Sequence, residues 1–492
     1  MTRRSTLLPW LAGTVVPSGS ASIEPDWNAL GRRWWGHVQV LADDRMEGRD
    51  TGSPGYARAA DYVIQQFRAA GLQPAAAGGY LQPLELQVTQ VDQPRSSLDL
   101  VRGGNVLPVA LGTDACHVVT SATIEQFEAD AVFVGYGLTV PELAYDDLAG
   151  LDLRGRIAVL VRGGPSDMPS PLKAHFQSPE ERVKALRAAG AVGAVSIPNP
   201  KIPELPWPRL ASGLLMPRME LREAGPGGYR PLSVNIAFNP ESAGALFEGS
   251  GHTWEEVLGP LGTARPLARF PLAVRIRGRV GFSRRTAKCH NVVGVLPGSD
   301  PQLKNEYIVV SAHLDHLGIG TPINGDPVYH GAIDNASGVA SILEIARAIH
   351  DSGERPRRSL LFLAVTGEEK FLLGSEYFAA HPTVTGPLVA NINIDVVWSM
   401  FPLRALEVFG VEESTLGDDI RAIGAEAGVA IHSAYEPDRV LFIRSDQYNF
   451  IKQGVPALFP GIGYFPGSPE EKMAHEWTQF RYHSPADDAK QP

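Results

Sequence analysis

Apolar residues recur at three- and four-residue intervals in some segments of this chain and form short unbroken runs in others. Tyr56, Ala59, Ala60, Val63, Ile64 and Phe67 follow the first pattern, so residues 26–72 read as helical, with one face buried. Gly71 ends the helix. A loop dense in glycine, residues 46–55, interrupts the region. Between about residues 129 and 270 the texture changes. Residues 132–134 and 157–161 are apolar runs bounded by glycines, which suits strands. Residues 182–191 predict a helix feeding a strand at 192–197, and the proline-rich stretch 198–217 reads as loop.

From about Lys288 onward strand and helix alternate. Residues 307–312 are rich in β-branched and small side chains, as a strand covered on both faces requires. Strands follow at 360–365 and 388–394, with helices at 339–349 and 373–380. This alternation predicts an α/β fold, a mostly parallel sheet flanked by helices. A chain of 492 residues exceeds one ordinary core. The expected organisation is residues 25–128 and 271–492 as a catalytic domain, with 129–270 as an inserted β-rich domain.

Composition narrows the class. Hydrophobic residues make up 44% and charged residues 20%, with a net charge of −10, which suits a soluble globular protein and argues against a nucleic-acid surface. Arg3 and Arg4, the apolar stretch 7–16 and the small residues 18–22 follow the order of an export signal. Residues 1–24 are therefore expected to direct a secreted or periplasmic location. No stretch elsewhere reaches the roughly 18 uninterrupted apolar residues of a membrane span. The two cysteines, Cys116 and Cys289, fit no thiolate zinc site by their spacing. A metal site in this chain must use histidine and carboxylates.

The polar residues fall at telling places. His313, Leu314 and Asp315 follow one predicted strand, Glu368 and Glu369 the next, and Asp395 the third. Asp334 and Asn335 open the helix between the first two. Open parallel sheets bind ligands outside the carboxyl ends of their strands. Singly, each residue has a bland explanation: Asp334 a helix cap, Glu368–Glu369 a complement to a helix dipole, Asp395 a turn residue, His313 a satisfied core histidine. Together they would repel strongly without a counter-charge. Asp334, Glu369 and Asp395, with one hydroxide, balance two divalent cations, and imidazole with carboxylate suits zinc. Asp315, two residues from His313, can hydrogen-bond its ring or orient the site. Glu368 can take a proton from water.

Five ordered segments carry a resemblance: 311–315 (SAHLD), 331–338 (GAIDNASG), 366–369 (TGEE), 393–395 (NID) and 482–485 (YHSP). They resemble metallopeptidase family 28, the co-catalytic zinc peptidases related to aminopeptidase S and glutamate carboxypeptidase II. The loop 46–55 is similar to that family's N-terminal segment. The resemblance implies two zinc ions (Zn2+) per chain, held by His313, Asp334, Glu369, Asp395 and His483, with Asp334 bridging. It implies that Asp315 orients the site, that Glu368 is general base and then acid, and that Tyr482 donates to the oxyanion. The implied activity is hydrolytic removal of N-terminal residues from peptides. Residues 134–137 and 145–147 resemble the opening of the protease-associated domain often inserted in such enzymes. Gln447 departs from the family, standing where many relatives carry histidine. Two other functions share the fold: a glutaminyl cyclase with one zinc, and a receptor-like protein that has lost its ligands. His316 is out of phase with His313 for an extended strand, and neither it nor His330 is assigned a role.

Overall fold

The computed structural model describes residues 26–202, 205–223, 230–435 and 441–491. The expected export signal lies outside them. The described residues form two compact units, one of residues 26–84, 288–435 and 444–491, the other of the described residues within 85–287 together with 441–443.

In the first unit, α1 (Trp27–Leu41) starts on Asp26, whose side chain accepts the Ala29 N–H. Helix α2 (Pro54–Ala69) starts on Ser53, with Pro54 at its first position. The six residues of the predicted face, Tyr56 to Phe67, are all buried. The strands are β1 (Tyr307–His313), β2 (Ser359–Val365), β3 (Leu388–Asn393), β4 (Ala405–Phe409), β5 (Ala430–His432) and β6 (Ala457–Gly463). They lie in the order β5-β4-β6-β3-β1-β2. Strands β6, β3, β1 and β2 are parallel. Strand β4 runs antiparallel to β6, and residues 292–296 pair antiparallel with β2. The chain leaves β1 to form β2 on one side, then crosses to form β3 on the other. That reversal makes the carboxyl end of β1 the expected ligand position.

Alternation along β1 divides the core. Val310 and Ala312, with Phe362 and Ala364 of β2, pack against α1, α2 and helix α3 (Ser337–Ser352). Val309, Leu361, Leu363 and Val365 pack against Phe378 of helix α4 (Leu373–Ala380) and against Phe450. Both faces are covered, so β1 and β2 are largely apolar along their length rather than alternating. Among the described residues no helix is long and apolar enough to cross a membrane.

The second unit is built on parallel strands Gln126–Phe133, Ile157–Val161, Gly193–Ile197 and Val234–Phe238. It is wider than the expected 129–270. Leu98, Leu100 and Ala115 pack in one core with Phe133, Val159 and Phe270, so residues 85–128 belong here and not with the first unit. The proline-rich stretch expected as loop contains a helix, Trp207–Leu214, with Pro208 in its first turn, where the missing N–H costs nothing. Cys116 and Cys289 are buried free thiols.

Candidate metal centre

Strand ends and the turn before α3 deliver the site. His313 is the last residue of β1. Glu368 and Glu369 follow β2, and Asp395 follows β3. Asp334 sits in the tight turn Ala332–Ala336 ahead of α3, and helix α3 is flanked by Ala336, so Asp334 does not cap it. Asp487 holds that turn from outside. Its carboxylate accepts the N–H groups of Ile333 and Asp334, each at 3.0 Å. Asn335 ties the turn to the Asp395 loop by donating to the Ile394 carbonyl at 3.0 Å.

The five expected ligand residues come together. His313 Nε2 lies 3.2 Å from both Asp334 Oδ1 and Asp395 Oδ1. His483 Nε2 lies 3.2 Å from Asp334 Oδ2 and 3.1 Å from Glu369 Oε2. Asp334 thus offers one oxygen to each imidazole. Two groups bring their ligand atoms within 4.8 Å of one another: His313, Asp334 and Asp395, and His316, Asp334 and Glu369. His483 meets the two carboxylates of the second group. This donor set, imidazole and carboxylate without thiolate, fits zinc.

Electrostatics separates the two adjacent glutamates. Burial raises Glu369, but His483 and His316 outweigh it and hold the carboxyl well below its ordinary value. Burial pushes Glu368 well above the usual range, with Glu369 and Asp395 adding to the rise against His313. The two neighbouring carboxyls are thus shifted in opposite directions. Burial would lower the His313 imidazole, yet Asp395, Glu368 and Asp334 raise it well above the ordinary histidine value.

A buried polar chain supports Asp395. Asn391 donates to Ser311 Oγ at 2.9 Å, Ser311 donates to Asn393 Oδ1 at 2.8 Å, and Asn393 donates to Ser445 Oγ at 2.8 Å. Ser445 in turn donates to Asp395 Oδ2 at 2.7 Å. Gln447 belongs to this chain, accepting from Asn393 at 3.3 Å, and is fully buried. Its amide therefore stands among the buried groups that support Asp395. Tyr482 stacks on His483, with ring centroids 3.9 Å apart. Burial, then Asp334, raises its hydroxyl well above the ordinary tyrosine value, so it remains an O–H donor.

Asp315 acts differently from the expected ring contact. The His313 Nδ1 meets the main-chain oxygen of Asp315 at 3.0 Å, while the Asp315 carboxylate faces the Glu368–Glu369 turn. Arg49 was missed by sequence reasoning. It is fully buried and donates to the carbonyls of Leu41, Leu314, His330 and Gly331 at 2.5–2.8 Å. The only signal was its place in the glycine-dense loop. His316 was also passed over. Strand β1 ends at His313, so strand parity does not extend to it, and its Nδ1 lies 2.7 Å from Glu369 Oε1. His330 belongs to neither group. Its ring is buried, 3.2 Å from the Ala42 carbonyl and 3.4 Å from Asp326 Oδ2.

A parallel α/β sheet gathers imidazoles and carboxylates at its strand ends, an arrangement suited to binding metal. Residues 291–492 match the model of Peptidase family M28. The chain is 25% identical to a probable glutamate carboxypeptidase VP8 of Zea mays, across 70% of this chain and 47% of that protein. It is 29% identical to leupeptin-inactivating enzyme 1 of Streptomyces exfoliatus, across 37% of this chain and 38% of that one. It thus spans less than half the length of either relative. The solved aminopeptidase from Aneurinibacillus sp. strain AM-1 shares the fold, with a TM-score of 0.55 and 20% identity over 93% of this chain and 88% of that one.

Proposed function

We propose that the protein is a two-zinc aminopeptidase that hydrolyses the N-terminal peptide bond of peptides. The observation that carries the two-ion reading is Asp334, whose two oxygens face His313 and His483 separately and which belongs to both ligand groups. His313 and Asp395 would hold one ion, Glu369 and His483 the other, with Asp334 between them. Zinc at these positions supplies Lewis acidity toward the substrate carbonyl and toward water.

The chain's own residues do the rest. Glu368, adjacent to the proposed ligand Glu369, accepts a proton from the attacking water and returns it to the departing amine. Tyr482 donates its O–H to the oxygen that gains charge as the carbonyl is attacked. Asp315 holds the Glu368–Glu369 turn through two main-chain N–H groups. The second unit is proposed as a protease-associated domain, and the chain as an exported protein.

The test is zinc content with a substrate panel. Metal-replete protein should hold close to two zinc ions per chain and release the amino-terminal residue from aminoacyl-nitroanilides. Chelation should abolish this, and zinc should restore it. Full activity with a single zinc, or cyclisation of N-terminal glutamine in place of hydrolysis, would point to the one-zinc cyclase.

A further inference from the structure

His316 is fully buried and stands directly after the motif that ends β1. Its main chain has left the sheet. The His316 N–H donates to the Arg49 carbonyl at 3.2 Å, and the residue bridges to Asp50. This turns the imidazole onto the second ligand group. Nδ1 lies 2.7 Å from Glu369 Oε1, while the other oxygen of that carboxylate, Oε2, lies 3.1 Å from His483 Nε2. The two oxygens of Glu369 therefore face different histidines.

Gly331 makes the seat for this ring. A Cβ there would lie 2.5 Å from His316 Cγ, and its φ of +59° is one that glycine adopts without strain. The imidazole is thus lodged between the turn that carries Asp334 and the carboxylate of Glu369. His316 Nε2 is buried and has no hydrogen-bond partner among the described residues, so Glu369 Oε1 is the one polar group to which the ring is committed.

We propose that His316 is a positioning residue for the second ion: its Nδ1–H donates to Glu369 Oε1 and leaves Oε2, on the His483 side, to bind metal. A free carboxylate can turn or offer both oxygens, whereas one held by a short hydrogen bond from a fixed ring cannot. The N–H donor also stabilises the ionised form that a ligand requires. The proposal rests on the two-zinc reading.

The experiment compares wild type, His316→Asn, His316→Leu and His316→Gln. Asparagine carries an amide N–H near the place of Nδ1. Leucine carries none, and glutamine places its amide nearer Nε2. Stepwise zinc affinities of metal-stripped protein are measured by competition with a chromogenic chelator, with circular dichroism to verify folding. Wild type should bind two equivalents. His316→Leu should keep the first affinity and weaken the second by about 10- to 100-fold, and His316→Asn should recover most of that loss. His316→Gln carries the test if the leucine variant does not fold, with the same loss expected. An unchanged second affinity in His316→Leu or His316→Gln would overturn the proposal. So would His316→Asn as weak as His316→Leu, because a metal ligand and not a donor would then have been removed. Wild type that saturates at one equivalent would overturn the two-zinc reading itself, and it shows without any substitution.

Discussion

The carboxylate of Asp315 accepts the main-chain N–H of Glu368 at 3.1 Å. Its other oxygen takes the Glu369 N–H at 3.4 Å and the Thr51 hydroxyl at 3.0 Å. One fully buried side chain just beyond β1 thus fixes the turn after β2, where Glu368 and Glu369 sit side by side. The three groups that hydrogen-bond to it are all donors.

Asp315→Asn would put an amide N–H against those donors while keeping the size. Zinc affinity should fall by about 10- to 100-fold, the usual cost of losing a group that orients ligands. Turnover at saturating zinc should fall as well. Chelator competition and kcat at high zinc measure the two effects, and a variant with wild-type values for both would remove Asp315 from the site.

Arg49→Lys tests the buried clamp. Lysine keeps the charge but cannot reach four carbonyls from one planar group. Each buried carbonyl left without a donor costs about 1–3 kcal/mol. Thermal unfolding of the metal-free protein should show a loss of at least about 1 kcal/mol, since lysine's three N–H donors leave at least one of the four carbonyls without a partner. The carbonyls of Leu314, His330 and Gly331 adjoin the segments carrying His313 and Asp334, so zinc binding should weaken too. Unchanged stability would mean that the carbonyls find other donors.

The adjacent glutamates give opposite predictions. Glu368→Gln should retain both zinc ions and lose about 10²- to 10⁴-fold in kcat, the range attributed to general acid–base catalysis, with little change in KM. The amide is close in size but cannot accept the proton. Glu369→Gln should instead weaken zinc, because it removes the charged group that lies between His316 and His483. If Glu368→Gln lost zinc and Glu369→Gln merely slowed, the two roles would be exchanged.

The sequence displayed the candidate ligands because strand ends in a parallel sheet are marked by the apolar runs before them. His313, Glu369 and Asp395 each follow such a run, and Asp334 precedes a periodic helix. What supports those ligands was hidden. Arg49 reaches carbonyls more than 260 residues away in the chain, and no local pattern announces a contact with main-chain oxygen. His316 was judged by strand parity, yet the strand had already ended at His313. The boundary of the second unit was misplaced for a related reason. Residues 85–128 carry alternating apolar positions such as Leu98 and Leu100, and only the fold shows which core they enter.

The last prediction concerns Asp147 in the second unit, remote in sequence from every proposed ligand. Its carboxylate is 2% exposed, accepting the Leu138 N–H at 3.1 Å and the Tyr145 hydroxyl at 2.7 Å. Burial pushes its pKa from 3.8 to about 6, and the hydrogen bonds from Tyr145 and Leu138 oppose that rise only in part. The folded protein therefore holds this proton over a pH range in which the unfolded chain has released it. The stabilisation is fully present below about pH 4 and is lost as pH rises through 6. Asp147→Asn removes the charge. Its amide oxygen can still accept from Leu138, and its N–H can donate to the Tyr145 oxygen, since a hydroxyl serves in either direction. The variant should match wild type near pH 4 and become the more stable by about 1–3 kcal/mol near pH 7, the upper figure being the full rise at roughly 1.4 kcal/mol for each pH unit. Thermal unfolding of the two proteins, compared at each pH so that all other titrations cancel, measures the difference. Parallel profiles, or a variant less stable at pH 7, would show that the ionised carboxylate is well compensated by its two donors.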